Sequence, residues 1–364
     1  MRGGEKVLLE LCRLLPDADI FTHAWNPGKF TGDPFAGHKI TETFIGSLPG
    51  AKNSPQKYLP LMPSALKRLR LDGYDLLVSS ESGPAKGVVK PAGAVHLCYC
   101  HTPMRYLWDM YGDYYRQTGL CGKLAMTLFK NYLRRCDLRS VESVDAFAAN
   151  SAFVARRIRR IYGREARVIH PPAEVEYYAA GRHEAPDELF RDAPYLYVGE
   201  LVGYKRADLA VKACLRMKRK LTVVGKGPQL KELRRLAAGS PDIVFAGRLE
   251  ADNLRRAYAS GRALLFPGIE DFGIVPVEAQ AAGTLVIAFG EGGALETVEP
   301  GVSGVFFNGQ DTESLCAAME EFEGRRWDRA AISKRVERFS AARFREEFSD
   351  FAAAAAPGIF PAGN

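Results

Sequence analysis

Short runs of apolar and β-branched residues alternate along the chain with longer stretches whose apolar positions recur at helical spacing, the pattern of βαβ units and parallel sheets. In the first half, the runs at 18–22, 74–79, 94–99, 146–149 and 167–169 predict strands. Residues 5–15 and 122–137 carry the helical spacing. A third helix is predicted over 151–162, where Ser151 supplies a capping hydroxyl and Gly163 a stop.

The pattern lapses at His170-Pro171-Pro172, and the polar segment that follows has no period until the apolar run at 195–198. Strands are then predicted at 195–198, 221–224, 243–246, 263–266 and 285–288, with helices at 207–217, 229–238, 251–259 and 276–282. The chain therefore divides into a first domain at 1–174, a second at 175–340, and a closing segment at 341–364. In that segment Phe344, Phe348 and Phe351 share a helical face suited to docking back on the first domain. The fold class is α/β, with two Rossmann-like domains built on parallel sheets. Such sheets bind ligands beyond the carboxyl ends of their strands, so an active site is expected in a cleft between the domains.

Composition agrees with a soluble two-domain protein: 364 residues, 47% hydrophobic and 26% charged. No run of 18 apolar residues occurs, and Glu5 and Glu10 interrupt the first apolar stretch, so neither a spanning helix nor a signal peptide is predicted. The seven cysteines form no CxxC pair and are expected to be reduced; Cys98 and Cys100 should alternate faces of a strand or lie in a loop. Charge changes the picture more. Residues 1–174 hold 25 Lys+Arg against 16 Asp+Glu, whereas 175–364 hold 25 against 27. A basic first half suits an anionic partner such as a lipid surface, a nucleic acid or an acidic substrate.

The densest chemistry is Glu270-Asp-Phe-Gly-Ile-Val-Pro-Val-Glu278. It follows a predicted strand and enters a predicted helix in which Pro276 suits an early position and Gly283 the C-terminal cap. Backbone N–H groups around Phe272, Gly273 and Ile274 would then face a diphosphate. Glu270 before the helix and Glu278 within it would reach different parts of one ligand, as acceptors for the hydroxyls of a sugar and of a ribose.

With this motif the sequence resembles the retaining glycosyltransferases of group 1 (family 4), which have the GT-B fold and use nucleotide-sugar donors. The resemblance also rests on RGGEKV at 2–7, YCHTPMRYLWD at 99–109, ANSAFVARRI at 149–158, IHPP at 169–172, GYKRADLAVKA at 203–213, VVGKGP at 223–228 and GGALETV at 292–298. It is strongest toward bacterial mannosyltransferases of O-antigen and exopolysaccharide assembly. The resemblance implies that Lys205 and Arg206 hold the diphosphate, that Glu278 holds the ribose, and that Glu270 holds a donor-sugar hydroxyl. It further implies that His101 flanks the transferring sugar, that Gly3 and Gly4 approach the ligand, and that Gly225, Gly227, Arg248 and Leu249 line the base. His101, Lys205 and Glu270 are the implied catalytic residues. No metal or other cofactor is implied. The implied partners are a nucleotide-sugar, most readily GDP-mannose, and a lipid-linked glycan acceptor; the basic first half adds an anionic membrane surface, which Arg134, Arg135 and Arg139 near one end of a predicted helix and Arg156, Arg157, Arg159 and Arg160 on another are expected to face. No nucleic acid is implied. The implied location is cytoplasmic, peripheral on the inner face of the cell membrane.

Two departures stand out. Where the family commonly has Gly-Arg-Leu, this chain has Gly199-Glu200-Leu201, and an acid cannot neutralise phosphate. RGGEKV normally follows a strand, so the first domain is expected to lack its opening strand, with Met1 an internal methionine of a longer natural chain and Arg2-Gly3-Gly4 a frayed turn. Rival readings are weaker. Asp17-Ala18-Asp19 matches a metal-binding DxD only by letter, and Gly225-Lys-Gly227 lacks the third glycine of a dinucleotide fingerprint. A glycosidase carboxylate pair, a UDP-sugar-dependent transferase, and a non-catalytic membrane-surface or polyanion binder remain as alternatives.

Overall fold

The structure, a computed structural model, describes residues 3–30, 32–181 and 190–360. It forms two compact units, Met1–Pro172 with Phe344–Asn364, and Ala173–Arg343. Arg2, part of the expected turn, lies outside the described residues.

The first described element of the first unit is the helix Gly3–Leu14. Strands β1 (Ile20–Thr22) and β2 (Ile40–Glu42) form a small parallel pair. Strands β3 (Leu76–Glu81), β4 (Val95–Cys100), β5 (Ala146–Ala149) and β6 (Ala166–Val168) form a four-stranded parallel sheet in that order. The period of two along β4 sends Leu97 and Tyr99 to one face and Cys98 and Cys100 to the other. The expectation that these cysteines alternate faces is therefore corrected: residues two apart on a strand share a face. Among the described residues all seven cysteines are free thiols.

On the Leu97 and Tyr99 face pack Val7 and Leu11 of the first helix and Phe344, Phe348 and Phe351 of the helix Ala341–Ala355. Phe344 meets the ring of Tyr99 edge-on at 5.6 Å, and Arg345 pairs with the buried carboxylate of Glu10. On the opposite face the helix Ala152–Tyr162 buries Val154 and Ile158. The Ser151 hydroxyl accepts from the N–H of Val154, and Gly163 closes the helix at φ 65°, a left-handed conformation that glycine adopts without a Cβ penalty.

The second unit is a six-stranded parallel sheet. Its strands are β7 (Tyr195–Val198), β8 (Leu221–Val224), β9 (Ile243–Gly247), β10 (Leu264–Phe266), β11 (Val286–Phe289) and β12 (Gly304–Phe307), in the order β12-β11-β10-β7-β8-β9. Alternate residues feed two cores. Tyr195, Tyr197, Leu265 and Ile287 join one with the helix Ala207–Met217, while Leu196, Leu264, Phe266 and Val286 join the other with the helix Ile274–Ala281. Burial on both faces explains why these strands read as unbroken apolar runs.

Candidate functional site

Chain order in the second sheet runs outward from β7 through β9 on one side and from β10 through β12 on the other. The reversal lies between β7 and β10, and at such a switch point the loops leaving the carboxyl ends diverge and open a crevice. Lys205 ends the turn Gly203–Lys205 after β7, and Glu270 lies in the loop after β10. Lys205 Nζ stands 2.9 Å from Glu270 Oε1, with side chains 17% and 20% exposed. Burial alone would lower the Lys205 pKa, but the Glu270 carboxylate outweighs it and the net shift is upward, so the ammonium stays charged.

Glycines bring these loops together. A Cβ on Gly268 would fall 2.8 Å from Lys205 Cα, and one on Gly293 would fall 2.3 Å from Phe272 backbone atoms. The Gly293 N–H donates to the Glu270 carbonyl at 2.8 Å, so the GGALETV segment braces the Glu270 loop. Gly225, at φ 145°, has no room for a side chain because its Cβ would lie 1.9 Å from the Gly199 carbonyl oxygen; a Cβ on Gly227 would lie 2.4 Å from that of Leu201. These two glycines thus fit loop to loop. Exposed Arg248 and half-buried Leu249 follow β9 at the same carboxyl edge.

Arg206 takes a left-handed conformation (φ 54°) at the head of the helix Ala207–Met217. Its guanidinium binds Asp208 at 3.0 and 3.3 Å and the Gln310 carbonyl and side-chain oxygens at 3.3 and 3.2 Å, which ties the loop after β7 to the loop after β12. Glu200 is exposed; its field contributes to the upward shift of Lys205, whose direct partner is Glu270.

The Phe272 side chain belongs to the core, edge-on to Phe339 at 5.4 Å, so only its backbone is left for a ligand. Gly273 (φ 89°) heads the helix Ile274–Ala281, which no side chain caps. Glu278, one helical turn on, is buried rather than open. Its carboxylate lies beside the hydroxyls of Tyr178 and Tyr258, both pushed up first by burial and then by Glu278. Those tyrosine rings meet edge-on at 5.4 Å. Nothing in the sequence pairs them with Glu278, since they come from segments 100 and 20 residues away.

In the first unit His101 follows β4. Its Nε2 lies 2.9 Å from Ser80 Oγ, its ring meets Tyr99 at 5.1 Å, and Gly4 lies against it. Gly3 begins the same helix. Burial pushes the His101 pKa down to about 4, so the ring is neutral at pH 7.

The loop after His101 is pinned from three sides. Arg157 donates to Asp109 at 2.5 Å and to Thr102 at 2.7 Å, Arg160 reaches Asp109 at 2.5 Å, and Arg134 donates to the Leu107 carbonyl at 2.8 and 2.5 Å. Trp108 Nε1 donates to Asp137 at 2.7 Å, which with Glu81 also holds the buried ammonium of Lys86. Arg157 and Arg134 were expected to face lipid, and that is corrected. One is buried and the other half-buried because their partners sit 48 and 27 residues away in a segment only the fold brings near.

Among the described residues no three His, Cys, Asp or Glu side chains cluster as a metal site, and no helix is long and apolar enough to cross a membrane.

Residues 1–177 match the family model described as Glycosyltransferase Family 4, and residues 194–323 match that of Glycosyl transferases group 1. The chain is 31% identical over 211 residues to a D-inositol 3-phosphate glycosyltransferase of Geodermatophilus obscurus, an overlap of 51% of this chain and 47% of the relative. It is 30% identical over 211 residues to a GDP-mannose-dependent monoacylated alpha-(1-6)-phosphatidylinositol monomannoside mannosyltransferase of Corynebacterium glutamicum, covering 51% and 55%. The chain thus spans about half the length of these curated relatives. Anabaena HepE, solved in complex with UDP and glucose, superposes with a TM-score of 0.69 at 16% identity over 97% of this chain and 96% of that one. The lipopolysaccharide outer core galactosyltransferase WaaB gives 0.68 at 15% over 97% and 96%. These likenesses establish the GT-B fold.

Proposed function

We propose that this chain, which belongs to the group 1 (family 4) glycosyltransferases, moves a sugar from a nucleoside-diphosphate donor to a lipid-linked glycan acceptor with retention at the anomeric carbon. The carrying observation is the Lys205–Glu270 pair at the switch point. With no donor bound, each neutralises the other. An arriving diphosphate takes over the ammonium, and Glu270 is released to accept a hydrogen bond from a donor-sugar hydroxyl. As the bond from the anomeric carbon to the phosphate oxygen breaks, charge grows on the diphosphate, where a fixed cation stabilises the transition state more than the ground state. The acceptor oxygen bonds to the same face of that carbon, and its proton passes to the departing phosphate oxygen.

In this reading Glu278 receives the ribose with the tyrosine pair behind it, and N–H groups at Gly273 and Ile274 assist Lys205, so no metal is required. Arg206 shapes the site through Asp208 and Gln310 more than it meets phosphate. His101 would flank the transferring sugar, as the resemblance implies, and a neutral ring there exchanges hydrogen bonds without adding charge. GDP-mannose is favoured because the Corynebacterium relative is GDP-mannose-dependent; HepE bound to UDP and glucose keeps UDP-sugars as the second donor class. The reaction would take place at the inner face of the cell membrane, where a lipid-linked acceptor resides. A surface binder would have no use for a half-buried ion pair at a switch point. A thermal-shift panel of GDP, UDP, ADP and dTDP, followed by a transfer assay with the stabilising nucleotide's sugars, tests this reading. A flat panel contradicts it.

A further inference from the structure

Three loops of the second unit leave the carboxyl edge of its sheet: 199–206 after β7, 267–273 after β10 and 308–311 after β12. β10 lies beside β7, but β12 is two places further out, with β11 between. Neighbouring strands are about 4.8 Å apart, so the loop after β12 has to reach back roughly 10 Å to meet the loop after β10. One side chain makes that reach. Gln310 Nε2 donates to the Pro267 carbonyl at 2.9 Å, and Gln310 Oε1 accepts from Arg206 Nη1 at 3.2 Å. The next residue, Asp311, caps the helix Thr312–Glu323 by accepting from the Ser314 N–H at 2.8 Å, which anchors the loop that carries Gln310.

The chemistry of the junction calls for an amide. A carbonyl oxygen needs a donor and a guanidinium needs an acceptor, and the glutamine amide presents both at one tip. Turned over, it would set oxygen against the Pro267 oxygen and NH2 against the guanidinium, so the two partners fix its orientation. What it joins lies next to the ion pair. Pro267 precedes Gly268, whose missing side chain lets the loop close on the Lys205 backbone, and Glu270 is three residues on from Pro267. Arg206 directly follows Lys205. Its backbone is left-handed, at φ 54°, which is uncommon for a residue with a Cβ, and its guanidinium is held by Asp208 and Gln310.

We propose that Gln310 is a positioning residue for transfer, holding the Lys205 turn against the Glu270 loop so that ammonium and carboxylate meet the donor in register. The inference rests on the transfer reading and adds to it a residue outside every motif of the resemblance.

Amide hydrogen exchange of the native chain, Gln310→Met and Gln310→Glu, together with transfer kinetics, tests it. Gln310→Met removes both bonds. Exchange should quicken at the N–H groups of Lys205 and Arg206, which bond Val202 and Gly203, and at that of Gly293, which bonds Glu270. Gln310→Glu keeps an acceptor for Arg206 but sets an oxygen against the Pro267 carbonyl, so exchange should quicken at Gly293 and not at Lys205 or Arg206. Both variants should lower kcat by roughly 10-fold, and Gln310→Met should change donor KM less, as expected when reacting groups are misplaced rather than missing. In a Lys205→Ala background Gln310→Met should cost little further, because it acts through that ammonium; a merely structural loss would recur there in full. Unchanged exchange at Gly293 in both variants, native kcat in Gln310→Glu, or additive losses in the cycle would overturn the inference. A native chain that transfers no sugar contradicts the transfer reading instead, and the exchange measurement still decides whether Gln310 holds the two loops.

Discussion

Lys205 Nζ and Glu270 Oε1 stand 2.9 Å apart, joining the loop after β7 to the loop after β10 where strand order reverses. Sixty-five residues separate them in sequence, and the two loops approach closely because Gly268 presents no side chain to the Lys205 backbone. The pair sets a reciprocal dependence. The carboxylate keeps the half-buried ammonium charged, and the ammonium in turn holds the carboxylate in place.

Lys205→Ala should lower kcat by about 10²–10³ with a smaller change in donor KM, as expected when a cation acts on charge that develops in the transition state. In Glu270→Gln, burial should dominate at Lys205 and lower its pKa. Nucleoside-diphosphate binding should then fail at a lower pH on the alkaline side than in the native chain. Coincident alkaline limbs would show that Glu270 does not set the charge of Lys205.

Glu278→Ala should raise donor KM and also cost roughly 1–3 kcal/mol of stability, because the Tyr178 hydroxyl loses the carboxylate beside it. Tyr178→Phe should raise donor KM several-fold at nearly constant kcat by loosening the carboxylate. Steady-state kinetics with urea unfolding of both variants checks this. A fall in kcat at unchanged KM would remove Glu278 from donor binding.

Much of this architecture is legible in the sequence. The strands at 195–198 and 221–224 and the helix at 207–217 are apolar runs or periods long enough to declare themselves, and their observed bounds coincide with the expected ones. β2 was not foreseen, since three residues carry no period, and β12 opens on a glycine. Lys205 and Glu270 stand out through motif context, but their contact does not. The same holds for Ser80 beside His101 and for the tyrosines beside Glu278, where the signal is purely spatial. Arginine runs were the most misleading feature. Arg157 looks like solvated charge until Asp109 and Thr102 are brought to it.

Two glycines separate steric need from conformational preference. Gly225→Ala should cost at least ~3 kcal/mol and abolish donor binding, because the new methyl meets the Gly199 carbonyl and the backbone must move. Gly239→Ala, at φ 75° with nothing within 4 Å, should cost about 1 kcal/mol and leave activity intact. Similar losses at both sites would show that the loop packing around Gly225 yields readily.

Acid should attack the first unit first. His23, His96 and His101 all lie there, and burial lowers each to about 4 from an ordinary value near 6.5. Between those values the unfolded chain binds protons that the folded chain refuses, so the contribution is full above pH 6.5 and lost as pH falls toward 4. Denaturation monitored at pH 7.5, 5.5 and about 4.5 should show the unit containing Trp25 and Trp108 losing stability before the unit containing Trp327. A pH-independent midpoint over this window would mean the rings are not kept neutral by the fold.

The central claim is that a diphosphate takes Lys205 from Glu270, and calorimetric titration of GDP and UDP in the presence of EDTA measures it most directly. At pH 7, well below the alkaline limb, at least one nucleotide should bind the native chain, Lys205→Ala should weaken that binding by roughly 10-fold or more, and Glu270→Gln should bind as tightly as the native chain or more so, since the competing carboxylate is gone. Unchanged affinity in Lys205→Ala, weakened affinity in Glu270→Gln, or binding that appears only when a divalent metal is restored would contradict it.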